Sequence, residues 1–267
     1  MLKDITIGQY FPGKSVVHRL DPRVKIILTA LFITMLFSAK TLIALSVGIV
    51  FLIITIAISS IPLKMIIKGL KPIVPIIIFT AVLNLFFLSG GEVLVHWWII
   101  KITTEGIQIS VFMIVRIICL IAGTSLLTYT TSPITLTDAI ERLLSPLKKI
   151  KLPVHELAMM MTIALRFIPT LIEETDKIMS AQKARGADLE TGGLIQRSKA
   201  LIPILIPLFV SAFRRAEELA LAMECRCYRG GEGRTRLKQL KTSANDYIAL
   251  IVTIMFFAII ILLNSIL

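Results

Sequence analysis

The chain has few of the residues on which most catalytic and metal sites depend. Its 267 residues include three histidines, three cysteines and two tryptophans. The sequence contains no phosphate-binding loop motif, no histidine paired with a carboxylate and no group of residues at metal-ligand spacing. We therefore expect a chain that is not an enzyme and that has no metal or cofactor of its own.

The three cysteines do not predict a disulfide. Cys119 lies within an apolar stretch, where packing is its expected role. Cys225 and Cys227 form a Cys-x-Cys pair on what we predict to be the cytosolic side, where thiols stay reduced. A metal site would need further ligands, and no other cysteine or histidine lies near this pair in the sequence.

Acidic residues are also scarce, with 17 aspartates and glutamates against 29 lysines and arginines, so the net charge is +12. Such a charge is compatible with nucleic-acid binding, but 56% of the residues are hydrophobic and the run 42–63 has no charge at all. Runs of this length predict a polytopic membrane protein whose spans are helices. Excess Lys and Arg is typical of the cytoplasmic loops of such proteins, so we expect no nucleic-acid partner.

The hydrophobic runs predict an all-α fold with about five transmembrane helices. Residues 89–104 are too short to span, and their Trp97 and Trp98 are typical of a segment at the membrane–water interface, for which a hairpin is one possible form. The five spans are predicted at about 23–38, 42–60, 72–88, 105–130 and 247–265.

The distribution of positive charge predicts the orientation of the chain. With the N-terminus inside, 26 of the 29 lysines and arginines lie in cytoplasmic segments. Cytoplasmic loops carry this excess, so we expect a multi-pass protein of the cell membrane with a cytoplasmic N-terminus and an outside C-terminus. The predicted domains are 1–131 with the first four spans, 132–246 as a cytosolic coupling domain and 247–267 as the last span.

The segment 132–246 contains three amphipathic helical patterns, at about 139–150, 154–185 and 194–228. The first halves of the two long helices are apolar, although the twelve residues 202–213 are too few to span. These apolar surfaces either pack on one another and on the spans, or bind a partner, for which Met-rich surfaces are suited.

Each of the two long helices ends in a similar signature. Ala181 is followed four residues later by Arg185, and Ala222 by Arg226, with a glycine-rich break after each. Arginine presents a rigid fork of donors suited to carboxylates and carbonyls in a groove. A cationic cap of the helix end is the simpler explanation for one copy. Two copies, each preceded by an acidic cluster, favour a paired docking device for a cytosolic partner.

Two other functions remain as alternatives. An autonomous carrier or channel is expected to have ionisable residues deep within its spans, and near the middle of the spans only Arg116 is found. A membrane-protein insertase could use Arg116 as a groove cation beside amphipathic cytosolic helices. Neither function has a use for the duplicated signature.

On these residues the chain resembles the transmembrane T component of energy-coupling factor (ECF) transporters over nearly its whole length. The resemblance rests on the two signatures, on the glycine-rich segment 228–235 and on the entry to the first span at 20–25. It implies that two ABC-type ATPases, which bind the ATP and Mg, dock on the signatures. Their motion would pass to a membrane-embedded S component that captures a vitamin or metal ion, so the substrate is not set by this chain.

The resemblance also implies roles for particular residues. At the second signature the flanking residues are Cys225 and Cys227, where the family typically has Ala and Gly, which leaves the geometry of that helix end open. The implied ATPase-docking residues are Ala184, Arg185, Gly186, Cys225, Arg226 and Cys227. Contacts with the S component are expected at Met159, Met160, Ile163, Leu205 and Leu208.

Overall fold

The computed structural model confirms an all-α fold. Within the part of the chain that it describes, helices account for all regular structure except one short two-stranded hairpin. The described residues are 10–87, 90, 93–97, 100–150, 153–187, 193–231 and 240–266.

Ten α-helices are present in these ranges, together with 3-10 turns at Lys71–Ile73 and Ser145–Ile150 and strands β1 (Val93–Trp97) and β2 (Ile100–Thr103). The helices are α1 (Val16–Arg19), α2 (Pro22–Ser38), α3 (Leu42–Ser59), α4 (Leu63–Leu70), α5 (Val74–Phe87), α6 (Thr104–Thr130), α7 (Pro133–Leu144), α8 (Val154–Ala184), α9 (Leu194–Cys225) and α10 (Ala244–Ile266).

Five helical segments of the described chain are long and apolar enough to cross a membrane, in agreement with the predicted number. These five segments and the five predicted spans do not fully correspond: one predicted span is missing and one other helix is included. The first predicted span, α2, has 17 residues and is not among them, since 17 is the lower end of what spans a bilayer. The five are Leu42–Ser59, Leu63–Phe86, Thr104–Thr130, Val154–Ala184 and Ala244–Ile266, so α8, which the sequence places on the cytosolic side, is included.

The chain divides into two compact units. One includes Thr137–Lys238, and the other combines Gly8–Leu136 with Gln239–Leu267. The second unit, called the membrane unit here, packs α2, α3, α6 and α10 around an aromatic centre. The rings of Phe32 and Phe51 lie 5.8 Å apart, and those of Phe51 and Phe256 5.2 Å apart. Gly123 lets α6 approach α2, because a Cβ there would lie 2.2 Å from the Phe32 ring.

The start of α2 is fixed as the dipeptide Asp21-Pro22 predicts. Asp21 is the N-cap and accepts the backbone N–H of Arg23 at 2.9 Å, while Pro22 occupies the first turn. The Asp21 carboxylate also pairs with the Arg23 guanidinium at 2.7 Å. The backbone N–H of Asp21 donates to the buried carboxylate of Asp246 at 2.8 Å, which joins the beginnings of α2 and α10.

Lys25 ties α2 to the end of α6. Its ammonium group is buried and donates to the carbonyl oxygens of Thr130 at 2.9 Å and His18 at 3.1 Å, and to the hydroxyl of Thr131 at 3.3 Å. These contacts use all three of its donors. A buried lysine is tolerated when it is hydrogen-bonded in this way, so Lys25 has a structural role.

Arg116, whose role the sequence leaves open, stabilises the end of α2. Its guanidinium donates to the carbonyl oxygen of Ala39, the residue that caps α2, and lies 4.4 Å from the ring centroid of Phe112 and 5.8 Å from that of Phe37. A cation at a helix C-terminus offsets the negative end of the helix dipole. The cation therefore contacts backbone and aromatic groups of its own unit, while its buried Nε has no hydrogen-bond partner among the described residues.

The segment before α6 forms an antiparallel hairpin. His96 of β1 lies opposite Lys101 of β2, and a register shift falls between Val93 and Val95. Thr103 ends β2 and caps α6 by accepting the N–H of Gly106 at 3.1 Å. A hairpin is thus the form this segment takes, while its place at the membrane interface stays a prediction and Trp98 lies outside the described residues.

Candidate functional site

The site is built on the three amphipathic helices predicted in 132–246, of which α7 differs from its predicted bounds. The sequence pattern suggests helix up to Ile150, but the α-helix ends at Leu144 and a 3-10 segment follows. Pro146 explains the change, since the residue before a proline is disfavoured in the α conformation. Both α8 and α9 end within three residues of their predicted ends, and α8 continues through Pro169.

The end of α8 is a Schellman cap with Arg185 as the C-cap residue. Gly186 follows in the left-handed conformation, with φ of +85°. Its N–H donates to the carbonyl of Lys183 at 3.0 Å, and the N–H of Ala187 donates to that of Gln182 at 3.0 Å. These two bonds satisfy the last carbonyls of the helix and define the motif.

The end of α9 repeats this arrangement residue by residue. Arg226 is the C-cap, and Cys227 takes the left-handed position with φ of +54°. The N–H of Cys227 donates to the carbonyl of Glu224 at 2.8 Å, and that of Tyr228 donates to Met223 at 3.0 Å. The sequence leaves the geometry of the α9 end open, and the structure shows that it is the same as that of the α8 end. It is the same although Cys227 occupies the position where glycine is favoured.

The two caps expose the two arginines in the same structural position. The side chains of Arg185 and Arg226 are both exposed, as are the thiols of Cys225 and Cys227, whereas Cys119 is buried in the core of the membrane unit. Among the described residues, no atom would lie within 4 Å of a Cβ added at Gly186, so the described surroundings of this cap are open. The two exposed arginines can thus enter a groove of a partner.

Because a left-handed backbone is unfavourable for residues with a Cβ, Cys227→Gly is expected to stabilise the end of α9. The strain removed is about 1–2 kcal/mol, and the extra freedom of glycine in the unfolded chain offsets roughly 0.5–1 kcal/mol of it. Hydrogen exchange of the Cys227 and Tyr228 amides should slow severalfold. Mass spectrometry of the α9 C-terminal peptide measures this.

Cys225→Gly is the matched control, because Cys225 is the last helical residue and its backbone is right-handed. Glycine within a helix costs about 1 kcal/mol, so here the same exchange should become faster. If the two substitutions change exchange in the same direction, the left-handed strain at Cys227 is not what limits this helix end.

Between their ends, α8 and α9 are joined by a polar clamp that the sequence does not reveal. The Glu174 carboxylate accepts the hydroxyl of Ser211 at 2.7 Å and the guanidinium of Arg215 at 2.6 Å. Further along, the Gln182 amide donates to the carbonyl of Pro203 at 3.3 Å. In the sequence, Glu174 belongs to the acidic cluster that precedes the first signature, but in the structure its oxygens are bound by α9. The sequence feature that could have indicated this clamp is the presence of charges of opposite sign in the polar halves of α8 and α9.

A third contact joins the start of α8 to the segment after α9. The His155 ring lies next to this segment, since a Cβ at Gly231 would be 2.4 Å from it. The same ring lies 3.0 Å from the Glu141 carboxylate of α7, so the expectation from the sequence that no histidine pairs with a carboxylate is wrong. The three contacts occur in opposite order along the two helices, so α8 and α9 run antiparallel. From Gln182 back to His155 the helical rise is about 40 Å, so the two arginine ends lie on the order of 40 Å apart.

The apolar halves of both helices remain largely exposed. Of the predicted S-component contacts, Met160 is 54% and Leu205 45% exposed, whereas Met159, Ile163 and Leu208 are half-buried. The sequence does not show which of these side chains are most exposed, since both faces of each apolar half are apolar. Further apolar side chains of the two helices are exposed in the structure: Leu157, Met161, Leu201, Ile202, Ile206, Phe209, Val210 and Phe213.

Among the described residues, no three His, Cys, Asp or Glu side chains are grouped so that they could hold a metal ion. The site is thus composed of two capped helix ends, a clamp between the helices and an apolar surface. What it offers chemically is binding by arginine forks and apolar contact.

Comparison with known proteins gives this arrangement a family. Residues 13–237 match the family described as cobalt transport protein. Proteins described as energy-coupling factor transporter transmembrane protein EcfT are similar throughout. That of Ruminiclostridium cellulolyticum is 54% identical over 264 residues, covering 99% of this chain and 98% of the relative. That of Clostridium kluyveri is 58% identical over 250 residues, covering 93% of each.

The similarity extends to a more distant bacterium. The protein of Bacillus subtilis with the same description is 46% identical over 265 residues, which is 99% of this chain and all of the relative. The five apolar helical segments agree with a multi-pass membrane protein. The chain belongs to the family of energy-coupling factor transporter transmembrane (EcfT) proteins.

Proposed function

We propose that the chain is the non-catalytic coupling subunit of an energy-coupling factor importer of the cell membrane. It binds two ABC-type ATPases, which hold ATP and Mg, through the two arginine ends. It also binds a membrane-embedded S component, which selects the vitamin or metal ion that is imported. Support comes from its family and from the two capped helix ends.

One observation carries this proposal above the others. The same Schellman cap, with an arginine at the same position, is built twice, at opposite ends of an antiparallel helix pair. Ends that lie on the order of 40 Å apart suit two separate partners better than one groove. Like caps suit like partners, as expected for the two ATPases of one dimer.

The clamp gives the pair a means of transmitting motion. Closure of the ATPase dimer on ATP changes the separation of the two arginine ends. Because Glu174 holds Ser211 and Arg215 where the helices pack, movement of the ends becomes a change in the angle between α8 and α9. The exposed apolar halves of α8 and α9, which hold the S component, tilt as this angle changes. In this proposal the N-terminus is cytoplasmic and the C-terminus is outside, as the charge distribution indicates.

The carrier and insertase alternatives depend on Arg116, which lies near the middle of a predicted span. Its guanidinium already binds the carbonyl of Ala39 and lies over Phe112. An arginine so engaged supports a structural role, and neither alternative explains the duplicated caps. The coupling subunit is therefore the function that the geometry favours.

Reconstitution of the purified chain in liposomes tests the proposal. Alone it should neither hydrolyse ATP nor take up a vitamin or metal ion, while co-reconstitution with the two ATPases and an S component should restore ATP-dependent uptake. Radiolabelled substrate and released phosphate are the readouts. Uptake by the chain alone would favour the autonomous carrier and contradict the proposal.

A further inference from the structure

The membrane unit contains an apolar cavity that the proposed function does not use. It has a volume of about 290 Å³ and lies among α1, α2, α3, α6 and α10. Nearly all of its lining is hydrocarbon, contributed by side chains such as Leu28, Leu52, Leu127 and Ala249. The chemistry of this lining suits an apolar guest.

The cavity extends over the depth of one leaflet of a bilayer. Along α10 its lining runs from Asn245 to Phe256, which at 1.5 Å per residue is about 16 Å. The hydrocarbon core of a bilayer is about 30 Å thick, so the cavity covers roughly half of it. The lining residues of α2 and α10 run from the first turns of these helices to Phe32 and Phe256, which lie just past their middles, so the cavity is on the side where both helices begin.

The two ends of the cavity differ. Phe32, Phe51 and Phe256 line the deep end, with ring centroids 5.2 to 5.8 Å apart in successive pairs. At the other end lie Lys25 and Thr130, but the Lys25 ammonium donates to Thr130 and two further oxygens. Its donors are therefore used, so the described lining offers no free cation to bind an anion inside the cavity.

The opening of the cavity faces sideways. The exposed lining residues lie on three helices, and their side chains are 37 to 59% exposed: Val16 of α1, Ile54 and Ile58 of α3, and Ile248 and Val252 of α10. The cavity therefore opens along α3 and α10 and beside α1. A side opening at membrane depth meets lipid. An open apolar space beside lipid chains is not left empty, because its walls would lose their van der Waals contacts.

We propose that this cavity holds one acyl chain of a membrane phospholipid from the leaflet where α2 and α10 begin. The chain enters between α3 and α10 and ends against the three phenylalanines. Its headgroup stays at the membrane surface, near Arg19. This arginine is exposed and is the last residue of α1, the helix whose first residue, Val16, lines the cavity. Arginine near the surface favours an anionic headgroup, such as that of phosphatidylglycerol.

Native mass spectrometry of the detergent-purified chain tests this site with a matched pair of variants. Wild type supplied with phosphatidylglycerol should retain a single phospholipid. Ala249→Phe fills the cavity from α10 and should lose it, whereas Ala258→Phe, on the same helix and outside the cavity, should retain it. Wild type without bound phospholipid, or equal retention in both variants, would overturn the proposal.

A second measurement needs no substitution and so does not depend on the folding of a variant. The wild-type chain is first loaded with phosphatidylglycerol that carries a diazirine on its acyl chain. Excess lipid is then removed and the sample is irradiated. Crosslinks on α10 should fall on Val252 and Phe256, which line the cavity, and not on the exposed Ile251. Preferential labelling of Ile251, or capture of a protein helix in place of lipid, contradicts the assignment.

Discussion

Reversal of both docking arginines, Arg185→Glu with Arg226→Glu, is expected to abolish co-purification of the ATPases with the chain. Both side chains are exposed at equivalent positions of two identical caps, so each should pair with carboxylates or carbonyls in a partner groove. Loss of one partner of such a pair costs about 2–5 kcal/mol, and reversal adds repulsion. Each single variant should therefore bind its ATPase about 30-fold more weakly or worse.

Arg214→Glu is the matched control for the double variant. It makes the same charge change at an exposed position of α9, away from the cap. Its ATPase binding should be close to that of wild type. All variants should remain folded, because neither docking arginine is buried, and their thermal unfolding in detergent should be unchanged. Retention of the ATPases by the folded double variant would refute docking at these ends.

The second large effect is expected on the apolar surface of α8 and α9. Met160→Glu combined with Leu205→Glu should release the S component while the ATPases stay bound. Both side chains are about half exposed, and the contact they would make is apolar, so an unpaired carboxylate placed there costs several kcal/mol. Pull-down of the complex with quantification of each subunit is the measurement.

Ala216→Glu provides the comparison, since Ala216 is exposed in the polar half of the same helix. It should leave both kinds of partner bound. A parallel loss of the S component and the ATPases in Met160→Glu with Leu205→Glu would instead mean that these two side chains support the packing of α8 on α9. The two outcomes separate a binding surface from a core.

Much of this protein could be read from the order of its residues. Long uncharged runs such as 42–63 determine a helical membrane protein, because a backbone in lipid must satisfy its own hydrogen bonds. Asp21-Pro22 determines where α2 begins, since capping is a local interaction. The two arginine signatures were also visible, as the break after each is encoded within a few residues.

The bounds of the helices show where local patterns stop being sufficient. The apolar face of α7 predicts helix to Ile150, yet the helix ends at Leu144 because Pro146 follows. At Cys227 the sequence leaves the helix end open, since cysteine does not favour the left-handed backbone that it adopts. The bonds from Cys227 and Tyr228 to the last carbonyls of α9 outweigh this local preference.

Only the tertiary structure decided which side chains of the long helices are occupied and which are free. The sequence does not distinguish Glu174 from its acidic neighbours, but the packing of α9 places Ser211 and Arg215 on its oxygens. Arg116 had no assigned partner until α2 brought the carbonyl of Ala39 to it. The sequence determined two arginine ends on two amphipathic helices. That these ends point apart depends on the antiparallel register of α8 and α9, which is set by contacts between residues distant along the chain.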